Sequence, residues 1–146
     1  MSNAPAGKAS FGGYGLGVAF KQIAHDEQLT IFASRTAPPP PLQYEDLVAA
    51  ADVVISKPGY GIVSECVANG TPLLYTSRGR FVEYDVFVAE MPRMLRCRFI
   101  PQADVRSGRW RPYVDALLAQ PDPPERPRVD GAEVAAKLIV GTRTRT

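Results

Sequence analysis

The sequence has few of the residues that form metal sites and disulfide frameworks. Its 146 residues include two cysteines, Cys66 and Cys97, and a single histidine, His25. These residues lack the short Cys-x-x-Cys or Cys-and-His spacing that zinc sites use. We therefore predict no metal ion and no disulfide, and we interpret both cysteines as small apolar core residues in a reducing compartment.

Long apolar runs and an excess of one charge are also missing. The longest nearly apolar run, Leu47 to Ile55, is interrupted by Asp52 and is far shorter than the roughly 20 residues that span a bilayer. The N-terminus lacks the basic and apolar regions of a secretory signal. Lysine and arginine number 17 against 15 acidic residues, a net charge of +2 that does not favour nucleic acid or an anionic membrane. We therefore predict a cytoplasmic protein with no transmembrane segment and no nucleic-acid partner, and we interpret Trp110, in the basic run 106–110, as a buried indole at a helix entrance.

Short apolar runs alternate with helix-like segments along the rest of the chain. Apolar, β-prone runs predict strands at 29–34, 52–56, 72–77 and from Cys97 onward. Helical periodicity predicts helices at 18–23, 44–51, 61–69, 81–91, 110–119 and 131–140. Single apolar strands that alternate with helices form a parallel sheet covered on both faces. We therefore predict one doubly wound α/β domain with a mainly parallel sheet.

Several boundaries can be placed from local chemistry. Residues 1–9 have little β-branched or aromatic content, so we expect no strand before Ser10 and assign 1–9 to a tag or disordered N-terminus and 10–146 to the domain. The prolines within 37–41 predict a stiff extended connection. We expect Gly70 to cap one helix and Pro92 to end the next. A sheet without its first strand would expose an edge or require a partner chain.

The first glycine-rich segment is Gly12-Gly13-Tyr14-Gly15. It does not satisfy G-x-G-x-x-G, because Val18 stands where the third glycine belongs. Its backbone N–H groups could face a diphosphate, and a purely structural turn is the alternative.

The second segment, 57–61, contains Gly59, Tyr60 and Gly61 and directly follows the predicted strand that ends at residue 56. In a parallel sheet, ligands lie beyond the carboxyl ends of the strands, in the loops that lead into helices. Glu65 follows about one helical turn later, where a carboxylate can accept hydrogen bonds from two neighbouring ribose hydroxyls. The alternative is that Glu65 only complements the helix dipole. Tyr60 is expected either to stack on a base or to cover the strand ends.

The order of these residues resembles a known family. The matching positions, which fall within residues 44–90, are Ala51, Asp52, Val53, Gly59 to Gly61, Ser64, Glu65, Gly70, Pro72 and Leu73 to Tyr75. They are similar to the C-terminal, donor-binding half of GT-B glycosyltransferases, in the family 28 branch that includes the MurG-type N-acetylglucosaminyltransferases. The resemblance implies a Rossmann-like half-domain that binds a UDP-sugar as donor substrate and needs no cofactor.

The resemblance also implies roles for particular residues. Glu65, beside Ser64, falls on the family's ribose-binding acid, and Gly59, Tyr60 and Gly61 fall on the loop beside the nucleotide. The loop that faces the diphosphate corresponds to Gly12, Gly13 and Tyr14. The contacts to the donor sugar correspond to Arg80 and Glu83.

Three functions remain open at this point. The first is the donor-binding domain of a hexosyltransferase, inactive alone because the acceptor site and catalytic base belong to the other half, so that an acceptor-binding domain or a second copy would be its partner. The second is a non-catalytic nucleotide-binding or scaffold module, as in similar domains attached to sugar kinases. The third is half of a UDP-amino-sugar epimerase-like protein. No catalytic residue is identified, because His25 is predicted at the surface and neither Ser64 nor Cys66 has a histidine near it in sequence.

Overall fold

Five parallel strands form one sheet within the residues that the computed structural model describes, namely 6–10, 30–33, 41–77, 79 and 82–143. The strands are β1 (Ala6–Ser10), β2 (Thr30–Ala33), β3 (Val53–Ser56), β4 (Leu73–Tyr75) and β5 (Cys97–Phe99). Their order across the sheet is β2-β1-β3-β4-β5, and every neighbouring pair is parallel. The predicted α/β class with a parallel sheet is confirmed.

The order of the strands shows that the chain winds outward in two directions. It leaves β1 toward β2 on one side and later returns to build β3, β4 and β5 on the other. The two directions separate between β1 and β3, which is the topological switch point where such sheets bind ligands.

Helices connect and cover the strands. Those in the described residues are α1 (Tyr44–Ala49), α2 (Tyr60–Asn69), α3 (Tyr84–Met94), α4 (Gln102–Ser107), α5 (Arg111–Leu118) and α6 (Gly131–Arg143). All but α4 were expected from helical periodicity. The predicted helix at 18–23 and the predicted connection at 37–40 lie outside the described residues, whereas Pro41 lies in a turn.

The expectation of no strand before Ser10 is wrong. β1 pairs on both sides, with Gly7 opposite Ile31 of β2 and opposite Val53 of β3. A central position gives the backbone two ladders of hydrogen bonds, which outweigh the weak strand propensity of the Ala-Gly-Lys-Ala-Ser run. Residues 6–9 therefore belong to the sheet rather than to a tag or disordered N-terminus.

The expectation that Pro92 ends its helix is also wrong. Pro92 lies inside α3, which continues to Met94, and the Leu95 N–H still donates to the Met91 carbonyl at 3.0 Å. In the last turn a proline removes one intrahelical hydrogen bond and leaves little helix beyond it to disrupt. The helix ends instead where Leu95 turns extended, with φ −149° and ψ 135°.

Two apolar clusters lie on opposite faces of the sheet. The first lies against α4 and α5 and consists of Val53, Ile55, Leu74, Ile100, Val105, Trp110, Val114 and Leu117. The second lies against α1, α2 and α3 and consists of Val48, Val54, Val63, Cys66, Leu73, Met91, Leu95 and Cys97. Successive strand residues point to opposite faces, so burial of every residue of β3 requires helices on both sides. The sheet is therefore covered on both faces, as predicted.

The residues singled out for burial lie in these clusters. Trp110 is buried and its indole N–H donates to the Val105 carbonyl at 3.0 Å. Cys66 and Cys97 are buried and free of disulfides, which confirms that they are core residues. Burial raises the pKa of the Cys97 thiol to about 11, so this thiol stays protonated and inert near neutral pH. No helix among the described residues is long and apolar enough to cross a membrane.

The outer edge of β5 is partly occupied by a side chain. The Leu73 N–H of β4 donates to the Arg96 carbonyl at 2.9 Å, so the Cys97 carbonyl, next in the alternation, faces away from β4. Nε2 of Gln120, which follows α5, donates to that carbonyl at 3.1 Å.

Candidate functional site

The strands that precede the two glycine-rich segments end side by side at the switch point. Ser10 at the end of β1 pairs with Ser56 at the end of β3, so both strands deliver the chain to the same edge of the sheet. Gly12, Gly13 and Tyr14 follow Ser10 in sequence but lie outside the described residues, as does Arg80. The segment after Ser56 is described and carries the other predicted residues.

The helix α2 begins at Tyr60 with Gly59 as its N-cap. Gly59 is extended, with φ −152° and ψ 155°, and its carbonyl accepts the N–H of Val63 at 3.0 Å. Glycine offers no side chain to cap the first N–H groups, and the first turn of α2 contains no acidic residue. The first-turn N–H groups and the positive end of the dipole are therefore not balanced by the helix's own carboxylates. At the other end Gly70 adopts the left-handed conformation, with φ 66°, as the predicted cap.

Glu65 lies about one and a half turns into α2, because the helix begins earlier than predicted. The dipole interpretation requires a position in the first turn, so it does not describe Glu65. Glu65 is half-buried, and its carboxylate has no hydrogen-bond or ion-pair partner among the described residues. A partly desolvated carboxylate with free acceptor capacity is suited to hydroxyl donors.

Gly61, Ser64 and Glu65 share one face of α2, since positions three and four apart are neighbours on a helix. Gly61 and Ser64 are exposed, and a Cβ built on Gly61 would meet nothing within 4 Å. The fold itself therefore does not require a glycine at position 61. An open face that leads from bare N–H groups to a carboxylate gives a ligand room to lie along the start of α2.

Tyr60 links the starts of α2 and α3. Its hydroxyl donates to Oε2 of Glu83 at 2.6 Å, and its ring lies 4.8 Å from the Phe87 ring, centroid to centroid. Glu83 is the N-cap residue of α3, so this contact joins the loops that follow β3 and β4. Hydrogen bonding to Glu83, with smaller contributions from burial and from the carboxylate charge, raises the pKa of Tyr60. The structure therefore brings two predicted site residues, Tyr60 and Glu83, into direct contact.

The residue that sequence reasoning missed is Thr76, at the carboxyl end of β4. Thr76 is fully buried, and its hydroxyl has no hydrogen-bond partner among the described residues. Its N–H donates to the Ser56 carbonyl at 3.0 Å, which places it beside the end of β3. A buried hydroxyl without a partner costs free energy, so such a group at this edge is a second sign of a ligand site. Its only sequence signal is a polar residue that directly follows an apolar strand.

The described residues around α2 supply groups that can bind a ligand. They include no group of three or more His, Cys, Asp or Glu side chains that could hold a metal ion. His25 lies outside them, Ser64 has no base beside it, and Cys66 is buried in the core. The arrangement around α2 supplies hydrogen-bond donors, one carboxylate and open space, which are the means to hold an anionic, hydroxyl-bearing ligand.

Similarity to known proteins is limited. No family model matches the chain. L-arabinokinase from Arabidopsis thaliana is 30% identical over 98 residues, which make up 66% of this chain and 9% of that protein. The crystal structure of the glycosyltransferase SnogD from Streptomyces nogalater aligns with 96% of this chain and 43% of its own, at 14% identity and a TM-score of 0.48. At that identity the similarity concerns the fold alone, and neither protein bears on the family 28 branch specifically.

Proposed function

We propose that this chain is a nucleotide-sugar-binding domain of glycosyltransferase type, which holds a UDP-sugar at the carboxyl edge of its sheet. The observation that carries this proposal is the Glu65 carboxylate, half-buried and without a partner among the described residues, on an open face just inside an uncapped helix start. That position also lies beside the switch point of a doubly wound sheet.

Glu65 would hold the ribose. One carboxylate can accept hydrogen bonds from both vicinal hydroxyls, and hydrogen bonds to a charged acceptor are stronger than neutral ones. No described residue competes for the carboxylate.

The start of α2 would face the diphosphate. Its first-turn N–H groups and positive dipole end favour an anion, and Gly61 lets a phosphate approach the backbone closely. We assign the glycine segment Gly12 to Tyr14 to the same diphosphate, since it follows β1 at the same edge. Glu83, held by Tyr60, and Arg80 are assigned to the donor sugar.

Transfer itself would require a second domain or chain. An acceptor hydroxyl would attack the anomeric carbon and lose its proton to a base, while the bond to the diphosphate breaks and UDP departs. This domain's contribution would be electrostatic, because groups that face the diphosphate stabilise the negative charge that develops on it. We expect the chain alone to bind the donor without turnover, and the second domain or chain to bind the acceptor.

A calorimetric titration with UDP, ADP and GDP tests the proposal. UDP should bind selectively, and Glu65→Ala should weaken it by about tenfold to 100-fold, the loss of two hydrogen bonds to a charged group. Glu45→Ala is the matched control, since Glu45 is an exposed acid in the first turn of α1. A folded chain that binds none of the three nucleotides, or an equal loss in both variants, would refute the donor site.

A non-catalytic nucleotide-binding module is the second candidate. It is favoured by the groups that the described residues supply around α2, namely first-turn N–H groups and the Glu65 carboxylate, which are suited to binding. Binding of UDP that persists without transfer, when candidate acceptor domains are added, would support this module over the transferase.

A further inference from the structure

A concave surface lies on the opposite face of the sheet from α2. This groove has a volume of about 410 Å³ and is lined by Arg98, Asp104, Arg109, Pro112 and Tyr113. It shares no lining residue with the candidate site, and its volume falls within the usual range for small-molecule pockets.

Arg98 enters the groove from the middle of β5. Its neighbours Cys97 and Phe99 point the other way. Cys97 joins the cluster against α2, and the Phe99 and Tyr75 ring centroids lie 5.7 Å apart. Arg98 pairs in register with Leu74, which belongs to the cluster against α4 and α5. Arg98 is exposed, and among the described residues no carboxylate or carbonyl accepts a hydrogen bond from its guanidinium.

The carboxylate in the groove is already used by other groups. Asp104 has a side chain only 14% exposed, accepts the Tyr113 hydroxyl at 2.5 Å and pairs with Arg109 at 2.5 Å. The Tyr113 hydrogen bond, followed by the attraction of Arg109, holds the pKa of Asp104 below its ordinary value, so it stays ionised. The negative charge of Asp104 pairs with Arg109. The positive charge of Arg98 is therefore not neutralised by a carboxylate that lines the groove.

Fixed geometry distinguishes this groove from a random basic surface. Asp104 orients both Arg109 and Tyr113, while β5 fixes the backbone of Arg98. Two guanidinium groups around one cavity present planar forks of N–H donors, which match the oxygens of phosphate and carboxylate groups.

We propose that this groove binds the phosphate or carboxylate group of a small organic anion, with Arg98 as the principal contact and Arg109 as the second. Tyr113 and Pro112 form the less polar wall against the rest of the ligand. The site is independent of the nucleotide-sugar site, so each can exist without the other.

Backbone amide NMR titration of the whole chain with inorganic phosphate and, separately, with succinate tests this site. We expect saturable shifts in the low-millimolar range at residues 97–99 and 104–113 with one or both anions. The relative affinities of the two probes identify the preferred group. Arg98→Gln should weaken this binding by at least about tenfold, since it removes a charge-assisted contact. If phosphate also shifts the amide signals of residues 59–61, those shifts report binding at the nucleotide-sugar site. Arg98→Gln should leave them unchanged.

Arg106→Gln is the matched control. Arg106 is an exposed arginine of α4 that bonds to Gln102 and does not line the groove. It should retain binding, as should Glu65→Ala. The absence of saturable shifts at 97–99 and 104–113 with both probes, or equal weakening by the two arginine variants, would overturn the proposal.

Discussion

Thr71 and Thr76 flank β4 at opposite ends and are both buried, yet their hydroxyls are in different situations. The Thr71 hydroxyl, at the amino end, donates to the Val48 carbonyl at 3.0 Å. The Thr76 hydroxyl, at the carboxyl end, has no partner among the described residues. At the amino end of β4 the buried hydroxyl has a backbone partner, and at the carboxyl end no described residue bonds to the buried hydroxyl.

The starts of α1 and α2 differ in the same way. In α1, Glu45 and Asp46 lie in the first turn, and the Gln43 N–H donates to the Asp46 carboxylate at 2.7 Å. In α2 a glycine stands at the cap and the first turn carries no acid. Side chains of the chain itself therefore complete the start of α1, whereas the start of α2 has no side-chain cap among the described residues. The start of α2 and Glu65 follow β3, and Thr76 follows β4, so these groups come after neighbouring strands at one edge of the sheet.

A substitution that makes the start of α2 resemble that of α1 should have the largest effect, which is on UDP affinity. Gly61→Asp places an acid in the first turn, in space that the structure leaves open. We expect UDP affinity to fall by about 100-fold through repulsion and steric obstruction, while the free energy of unfolding stays equal or rises by up to about 1 kcal/mol. Calorimetry and thermal unfolding measure the two effects. Gly131→Asp at the start of α6, also in open space, is the control and should leave UDP binding intact; unchanged UDP affinity in Gly61→Asp would contradict the assignment of α2.

Replacing each of the two threonines by valine should have different effects on the free energy of unfolding. Thr71→Val removes a hydrogen bond and leaves the Val48 carbonyl without it, so the free energy of unfolding should fall by about 1–3 kcal/mol. Thr76→Val removes a hydroxyl that has no partner among the described residues, so stability should stay equal or rise by up to about 1 kcal/mol. Urea unfolding of both variants checks the difference. Equal destabilisation would show that Thr76 is satisfied in solution.

Removing the acid that completes α1 should have a smaller effect. Asp46→Ala takes away the acceptor of the Gln43 N–H, so the free energy of unfolding should fall by about 0.5–1 kcal/mol. UDP affinity should not change, because α1 is complete without a ligand. Glu45→Ala removes a first-turn acid that makes no such bond and should cost less. A parallel loss of UDP binding in Asp46→Ala would mean that α1 also takes part in the site.

The smallest effect should come from the hydrogen bond between Tyr60 and Glu83, which joins the starts of α2 and α3. Glu83→Gln removes the charged acceptor of Tyr60, so the pKa of Tyr60 should fall back toward its ordinary 10.0. In the parent chain the contact supports the fold below pH 10.0 and is lost as Tyr60 ionises at higher pH. NMR titration of the tyrosine rings follows this pKa. Glu90→Gln, whose acid pairs with Arg93, is the control, and a Tyr60 pKa that stays raised in Glu83→Gln would disprove the coupling.

Much of this architecture could be predicted because local chemistry and global position agree. The helix α2 follows its apolar pattern and ends at Gly70, where only a residue tolerant of φ 66° fits well. By contrast, β1 could not be predicted, because its strand character comes from pairing on both sides rather than from its residues. The six-residue α4 has one large apolar residue, Val105, which is too few to show helical periodicity, whereas the equally short α1 has Leu47 and Val48.

The site divides in the same way. The sequence predicts its location and Glu65 from a glycine turn after a buried strand, and the binding roles of the described residues stay predictions. The contact between Tyr60 and Glu83 joins residues 23 positions apart, and no local pattern indicates it. Thr76 could not be found either, because the sequence does not show whether a hydroxyl has a partner. Gly12, Gly13, Tyr14 and Arg80 remain predictions.

The Gln120 amide on the outer edge of β5 has a consequence for the behaviour of the chain at high concentration. An unpaired strand edge can recruit the strand of another molecule and start aggregation. Here the Cys97 carbonyl is already occupied by Gln120, and β5 is only three residues long with Arg98 at its centre. A charged, short and partly occupied edge is a poor template for pairing with a strand of another molecule. We therefore expect β5 to disfavour aggregation of the chain during refolding.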